Sequence, residues 1–221
     1  MGHSINKIFL PIDGKPIIIH ALETFEHCAL VDEILLVTAK GEEEQLAKLA
    51  HTAQIRKVRR IVEGGATRHG SEHCALEALR VEIEEGDIEV VLVHDGARPF
   101  ISQRSVDTLI ERARRVGGAI LALPLQEEEH IVQVDETHAV CRSYEGKSIW
   151  RAQTPQAFQA HLLLRAYDQA ACDHFVGTDT AASVERLGYP VAVVESELTN
   201  LKITTAHDLF QAERLSRHRH F

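Results

Sequence analysis

The sequence has no run approaching the roughly 18 consecutive apolar residues that span a bilayer, so a transmembrane helix is not expected. Its opening, Met1-Gly2-His3-Ser4-Ile5-Asn6-Lys7, has no apolar signal core, so secretion is not supported and a cytoplasmic location is expected. Cysteine is scarce. Cys28, Cys74, Cys141 and Cys172 are widely spaced and form no C-x-x-C pair, which argues against a zinc knuckle or a thioredoxin motif and suits idle thiols in a reducing compartment. The 14 histidines include no H-E-x-x-H, and the terminal His218-Arg219-His220 suits a solvated tail better than a metal site. No G-x-G-x-x-G follows a strand, which speaks against a dehydrogenase, and no Gly-Lys-Ser/Thr completes a Walker loop. Positive charge is in the minority: 24 Lys and Arg against 33 Asp and Glu give a formal charge of −9. That balance argues against a general nucleic-acid binder, yet a local cluster of cations can still hold a small anion.

What is present is an ordinary globular mixture, 44% hydrophobic and 26% charged, in 221 residues. A chain of this length can bury a substantial core, and with no internal repeat or Pro/Gly linker it reads as a single domain over 1–221. Short apolar runs at 34–38, 90–94, 119–123 and 191–194 have the character of strands buried on both faces. Helical patterns at 16–25, 42–53, 71–80, 103–116 and 160–171 lie between them, and further helices are expected at about 181–187 and after Thr204-Thr205. The alternation predicts βαβ units and an α/β fold with a mostly parallel sheet. Ser71 and Ser102 are expected to open their helices by accepting a backbone N–H. From about 127 to 150 the rhythm breaks. Weak alternation at 131–134 and 139–142 around a turn at 135–138 predicts a β-hairpin inserted into the core, suited to a dimerisation arm or a substrate lid.

Several segments carry polar groups in suggestive places. His94-Asp95-Gly96-Ala97-Arg98-Pro99 leaves a core strand at its carboxyl end, where open α/β sheets bind ligands. An Asp and an Arg there could meet a metal and a phosphate, or could close a turn as an ion pair. Glu63-Gly64-Gly65-Ala66-Thr67-Arg68-His69-Gly70-Ser71 is rich in glycine and opens a helix, so its backbone N–H groups can approach an anion or a polar ring. In Asn200-Leu201-Lys202-Ile203-Thr204-Thr205 the lysine could neutralise a transferred phosphoryl group, or could be a surface lysine before a helix. Trp150-Arg151-Ala152-Gln153-Thr154-Pro155-Gln156 reads as a polar turn after the hairpin, and Thr178-Asp179 as a loop before a helix; capping explains each equally well.

Taken in order, these segments are far more specific than any one alone. Phe9-Leu10-Pro11…Gly14-Lys15-Pro16, Gly64-Gly65-x-x-Arg68-x-x-Ser71, His94-Asp95-Gly96-Ala97-Arg98-Pro99, Gln153-Thr154-Pro155-Gln156, Thr178-Asp179 and Asn200-Leu201-Lys202-Ile203-Thr204-Thr205 span nearly the whole chain. Together they resemble the 2-C-methyl-D-erythritol 4-phosphate cytidylyltransferases of the non-mevalonate isoprenoid route. Ribitol-5-phosphate cytidylyltransferases share much of the pattern.

The resemblance implies a three-layer, Rossmann-like nucleotidyltransferase that joins a polyol phosphate to CTP and releases pyrophosphate. It implies catalytic roles for Lys7 and Lys202 beside the phosphates, and nucleotide contacts at Gly64, Gly65, Ser71 and, through its backbone, Gly96. Asp95, Arg98, Thr154, Thr178 and Lys202 match substrate-side positions, with Asp95 also a candidate metal ligand. It further implies Mg²⁺ or another divalent cation, and a homodimer joined through the arm.

Two departures shape the expectations. The family opens with a core strand and an A-A-G-x-G-x-R-M-G loop, of which Met1-Gly2 matches only the end. The expectation is that the 221 residues alone turn over little CTP, that an upstream extension restores activity, and that neighbouring strand edges lack a partner. At the arm, Pro124-Leu125-Gln126-Glu127-Glu128-Glu129-His130 stands where the family reads P-V-x-D-T-I-K, which puts Glu128 in place of a threonine near the substrate phosphate. An arginine expected before the tryptophan is missing, and Lys147 is the nearby cation that would replace it, without an arginine's planar fork. These changes bear on the acceptor more than on the nucleotide, leaving another polyol phosphate or a degenerate, non-catalytic homologue as alternatives.

Overall fold

In the computed structural model, residues 6–126, 129, 131–144 and 148–218 are described. The chain begins with a short 3₁₀ turn at Lys7–Phe9 and a tight hairpin of β1 (Pro11–Ile12) and β2 (Lys15–Pro16). Asp13 and Gly14 turn that hairpin with φ of +51° and +74°, the left-handed pair favoured by an Asp-Gly loop. Then follow α1 (Ile17–His27), β3 (Ile34–Thr38), α2 (Glu43–Thr52), β4 (Val58–Glu63), α3 (Arg68–Ala78) and α4 (Arg80–Glu85). The second half contains β5 (Val90–Val93), α5 (Gln103–Val116), β6 (Gly118–Pro124), β7 (Ile131–Val134), β8 (Val140–Tyr144) and β9 (Trp150–Gln159). It closes with α6 (Ala160–Cys172), α7 (Thr180–Arg186), β10 (Ala192–Glu195) and α8 (Ala206–His218).

The fold is mixed α/β, and the expectation of a mostly parallel sheet is corrected. The main sheet runs β10-β6-β9-β5. β10 is parallel to β6, but β9 is antiparallel to both β6 and β5, and among the described residues four of the six ladders are antiparallel. The cause is β9: on returning from the arm, it runs down the middle of the sheet between β5 and β6. The sequence reading places a polar turn at 150–156, because Gln153, Thr154, Pro155 and Gln156 do not look like sheet core. Gln153, Thr154 and Gln156 are nevertheless buried, each with its side-chain oxygen accepting a hydrogen bond inside the protein.

Side chains of the sheet alternate between two cores, one on each face. Ala119, Leu121, Ala157, Val90 and Leu92 pack with α1 and α5. Phe158, Ile120, Val91 and Val93 pack with α3, α4, α6 and α7. β3 and β4 form a separate parallel pair. Ile34 and Leu35 of β3 join the same two cores as β5, yet no ladder links β3 to β5 among the described residues. Among the described residues, β3 and β5 therefore each keep one edge without a ladder partner.

Helix starts follow local chemistry, with one correction. Ser102 caps α5 by accepting the Ser105 N–H at 3.1 Å, as expected. α3 starts three residues earlier than expected: Thr67 caps it, accepting the Gly70 N–H at 3.0 Å, so Ser71 lies inside the helix. α8 is opened by Asp208, whose Oδ2 accepts the N–H groups of Thr204 and Thr205 at 2.9 and 2.8 Å, while Ala212 and Leu209 face the core as expected.

The hairpin of the arm is present where the alternation places it. Asp135 Oδ1 shapes its turn by accepting the N–H groups of Thr137 and Ala139 at 2.8 and 3.0 Å. Glu127, Glu128, His130, Lys147, Arg219, His220 and the Met1-Gly2 start lie outside the described residues. No helix among the described residues is long and apolar enough to cross a membrane.

Candidate active site

The loop after β5 starts with two residues of opposite character. His94 is buried against Phe25, and burial pushes its imidazole down to about 4, so it is neutral near pH 7. Its Nε2–H donates to the Arg98 carbonyl at 3.0 Å, which tightens the loop and leaves Nδ1 without a proton and, among the described residues, without a partner. Asp95 is charged. Burial alone would raise its carboxyl, but the Lys202 hydrogen bond and the nearby guanidinium of Arg68 outweigh that and hold it below the usual carboxylate range.

Three cations from three distant parts of the sequence converge on this carboxylate. Lys202 Nζ is 2.8 Å from Asp95 Oδ2, Arg68 Nη2 is 3.5 Å from Oδ1, and Arg98 Nε is 3.8 Å from Oδ2. Each arrives by a definite route. The 94–98 turn is closed by the Arg98 N–H donating to the Asp95 carbonyl at 2.9 Å. Arg98 Nη1 donates to the Asn200 carbonyl at 2.8 Å, and the Ile203 N–H donates to the Ala97 carbonyl at 2.9 Å, so the Lys202 segment is stitched to the Asp95 loop on both sides of the lysine. Asn200 in turn donates from Nδ2 to Gln153 Oε1 at 3.0 Å and to the Thr154 carbonyl at 2.9 Å. Arg98 is only 8% exposed, and its Nε has no hydrogen-bond acceptor among the described residues. A buried guanidinium with a spare donor suits an anionic ligand.

β9 contributes through a bulge. Its register against β6 jumps from Ile120↔Gln156 to Leu121↔Gln153, so Thr154 and Pro155 bow out of the ladder. The bulge turns Thr154 Oγ1 toward the Asp95 N–H, which donates to it at 3.0 Å. Thr154, expected on the substrate side, is therefore next to Asp95 but buried, with its hydroxyl engaged in fixing the loop.

The glycine-rich segment follows β4 and folds back against the start of α3. A Cβ on Gly64 would lie 2.6 Å from Ser71 Oγ, and one on Gly65 would lie 2.8 Å from the Gly70 backbone, so neither position admits a side chain without movement. Ser71 Oγ donates to the Gly65 carbonyl at 3.3 Å. Gly64, Gly65 and Ser71 are thus one unit, and Arg68 from the same unit reaches Asp95. Gly96 packs against Ile18 and Ile8. Ile8 adjoins Lys7, which places Lys7 in the turn beside the Asp95 loop without a described contact to Asp95. Thr178 is exposed, just ahead of Asp179, which caps α7 and also accepts from Gln156 Nε2 at 3.2 Å.

The chain matches the family model for 2-C-methyl-D-erythritol 4-phosphate cytidylyltransferase over residues 1–218. The chain belongs to this family. It is 39% identical to the 2-C-methyl-D-erythritol 4-phosphate cytidylyltransferase of Shouchella clausii over 219 residues, covering 99% of this chain and 92% of that protein. The crystal structure of the cytidylyltransferase from Thermus thermophilus superposes with a TM-score of 0.78 at 34% identity, covering 96% of this chain and 94% of that one. The 4-diphosphocytidyl-2C-methyl-D-erythritol synthase from Anaerococcus prevotii gives 0.84 at 27% identity, covering 98% and 92%. The cytidylyltransferase frame thus carries the cluster described above. The sequence reading quotes Arg68 in the motif without giving it a role. Its position in the first turn of a helix opened by two tight glycines is the signal that it faces the site.

Proposed function

We propose that this chain is an enzyme that transfers the cytidylyl group of CTP to 2-C-methyl-D-erythritol 4-phosphate. In this reading it works as a three-layer nucleotidyltransferase domain carrying an arm. The observation that carries the reading is the convergence of Lys202, Arg68 and Arg98 on Asp95 at the carboxyl end of β5. A phosphate oxygen of the polyol phosphate attacks the α-phosphorus of CTP and forms a new P–O bond. The bond from the α-phosphorus to the bridging oxygen breaks, and pyrophosphate leaves with that electron pair. The attacking phosphate is already ionised near pH 7, so no general base is required; the protein's tasks are positioning two anions and neutralising charge. Lys202 faces the α-phosphate, and Arg98 offers its spare Nε–H to the acceptor phosphate. Lys7 adds charge from the neighbouring turn. Gly64, Gly65 and Ser71 hold the base, and the Gly96 backbone lies by the ribose. Thr178 is placed on the acceptor side, and Thr154 serves by holding Asp95.

A divalent cation suits the donor set: Asp95 is one hard carboxylate among groups that bind phosphate, and Mg²⁺ is commonly held by one or two carboxylates plus substrate phosphates. When bound, such an ion supplies further neutralisation of phosphate charge. Asp95 would hold it, with Lys202 and the arginines turning toward the phosphates. CTP is expected to be the preferred nucleotide. A pyrophosphate-release assay with the four ribonucleoside triphosphates checks this, and equal turnover of all four would remove the cytidine assignment.

The arm is proposed to join two copies of the chain. Ile131, Val132, Val134 and Val140 are exposed on a two-stranded hairpin, which is not stable alone in water. Deleting residues 127–149 is expected to convert a dimer to a monomer in sedimentation. A deleted protein that still sediments as a dimer would assign the interface elsewhere.

A further inference from the structure

Behind the Asp95 cluster lies a buried carboxylate that the proposed reaction does not use. Glu72, on α3, has a side chain only 10% exposed. Both of its oxygens are occupied. Oε1 accepts from Arg68 Nε at 2.8 Å and from Thr180 Oγ1 at 3.1 Å; Oε2 accepts from the Tyr167 hydroxyl. Thr180 and Tyr167 are fully buried, on α7 and α6. Tyr167 is held in turn by His69, whose ring stacks on it at 4.5 Å and 11°. One carboxylate therefore ties the helix that opens at the glycine-rich segment to the two helices that frame the Thr178–Asp179 loop.

Arg68 is the solvent-facing part of this arrangement. Its side chain is 40% exposed, and it has two carboxylates within reach: Glu72 through Nε at 2.8 Å and Asp95 through Nη2 at 3.5 Å. An arginine free to choose would pair with Asp95 through both prongs of its fork. The shorter contact to Glu72 keeps it from doing so, leaving the Asp95 carboxylate to Lys202. We propose that Glu72 is a positioning residue: anchored by Tyr167 and Thr180, it holds Arg68 at the edge of the Asp95 cluster, where the guanidinium meets substrate phosphate. The inference rests on the reading that the Asp95 cluster is the reacting centre.

The test is a double-mutant cycle on kcat/KM for the polyol phosphate, measured by pyrophosphate release. Glu72→Gln keeps the shape and removes the charge; Tyr167→Phe removes one donor and leaves the charge. Glu72→Gln is expected to lower kcat/KM by about ten- to a hundredfold, the scale of a small misplacement of a reacting group, and Tyr167→Phe by less. Both losses should disappear in an Arg68→Ala background, because a residue that acts through Arg68 has nothing left to position. A merely structural role would multiply with Arg68→Ala instead, and that outcome, or an unchanged kcat/KM in Glu72→Gln or in Arg68→Ala, overturns the proposal. If Glu72→Gln does not fold by thermal unfolding, the same cycle with Tyr167→Phe decides. Turnover by the unsubstituted chain separates the two levels: with it, a failed cycle removes only the role of Glu72, and without it the reaction assignment and this inference both fall.

Discussion

Lys202→Ala is expected to lower kcat by about a hundredfold or more while changing CTP affinity far less. The ammonium lies 2.8 Å from Asp95 Oδ2, on a segment fixed from both sides through Asn200 and Ile203, so it meets the substrate without having to be ordered first. Preorganised charge is worth most where new charge develops, and that is the α-phosphoryl group in the transition state. A hundredfold loss corresponds to about 2.7 kcal/mol of transition-state stabilisation, within the range for removing one electrostatic group. Steady-state kinetics beside a CTP-binding isotherm separate kcat from affinity. An unchanged kcat would return Lys202 to the surface-lysine alternative.

Asp95→Asn is expected to do more. It removes the carboxylate shared by Lys202, Arg68 and Arg98, leaving Arg68 with Glu72 alone, in a site where Arg98 is already almost wholly buried. An uncompensated buried charge destabilises, so activity should fall by on the order of 10³-fold and folding stability by roughly 1–3 kcal/mol. The pH dependence gives a second signature. The folded-state carboxyl of Asp95 is held below its unfolded value, so its contribution to stability is present above about pH 4 and is lost as pH falls through the folded value. Acid unfolding followed by circular dichroism should show the unsubstituted protein losing this contribution below about pH 4, while Asp95→Asn has none to lose there. A variant of equal stability and a parallel acid profile would mean that the three cations do not depend on Asp95.

Much of this arrangement is legible in the sequence, and most of what is not depends on distant partners. Apolar runs mark β3, β5, β6 and β10, although only β6 is buried along most of its length and Val37 of β3 and Val193 of β10 are exposed. β9 is hidden because its central residues are polar: Gln153, Thr154 and Gln156 are buried by bonding to Ser196, Asn200, Asp95 and the start of α7, and no local pattern reveals partners 25 to 59 residues away. Without β9 the remaining strands look parallel, which is why the pattern of apolar runs points to a mostly parallel sheet. The start of α3 is displaced for a local reason, since Thr67 and Ser71 are both acceptable caps and only the folding back of Gly64 and Gly65 decides between them. In the site, Asp95, Arg98 and Lys202 stand out as polar residues next to strand ends. Glu72 does not, because a glutamate near the start of a helix is what the helix dipole favours on any surface. Its value lies in Tyr167 and Thr180, about a hundred residues downstream, with separations of 95 and 108.

The most direct test of cytidylyl transfer is pyrophosphate release from CTP with 2-C-methyl-D-erythritol 4-phosphate, run beside ribitol 5-phosphate, using the 221 residues. The account predicts one pyrophosphate and one CDP-linked methylerythritol per CTP consumed, with 2-C-methyl-D-erythritol 4-phosphate as the better acceptor. No pyrophosphate with 2-C-methyl-D-erythritol 4-phosphate, under conditions where the chain is folded, would contradict it.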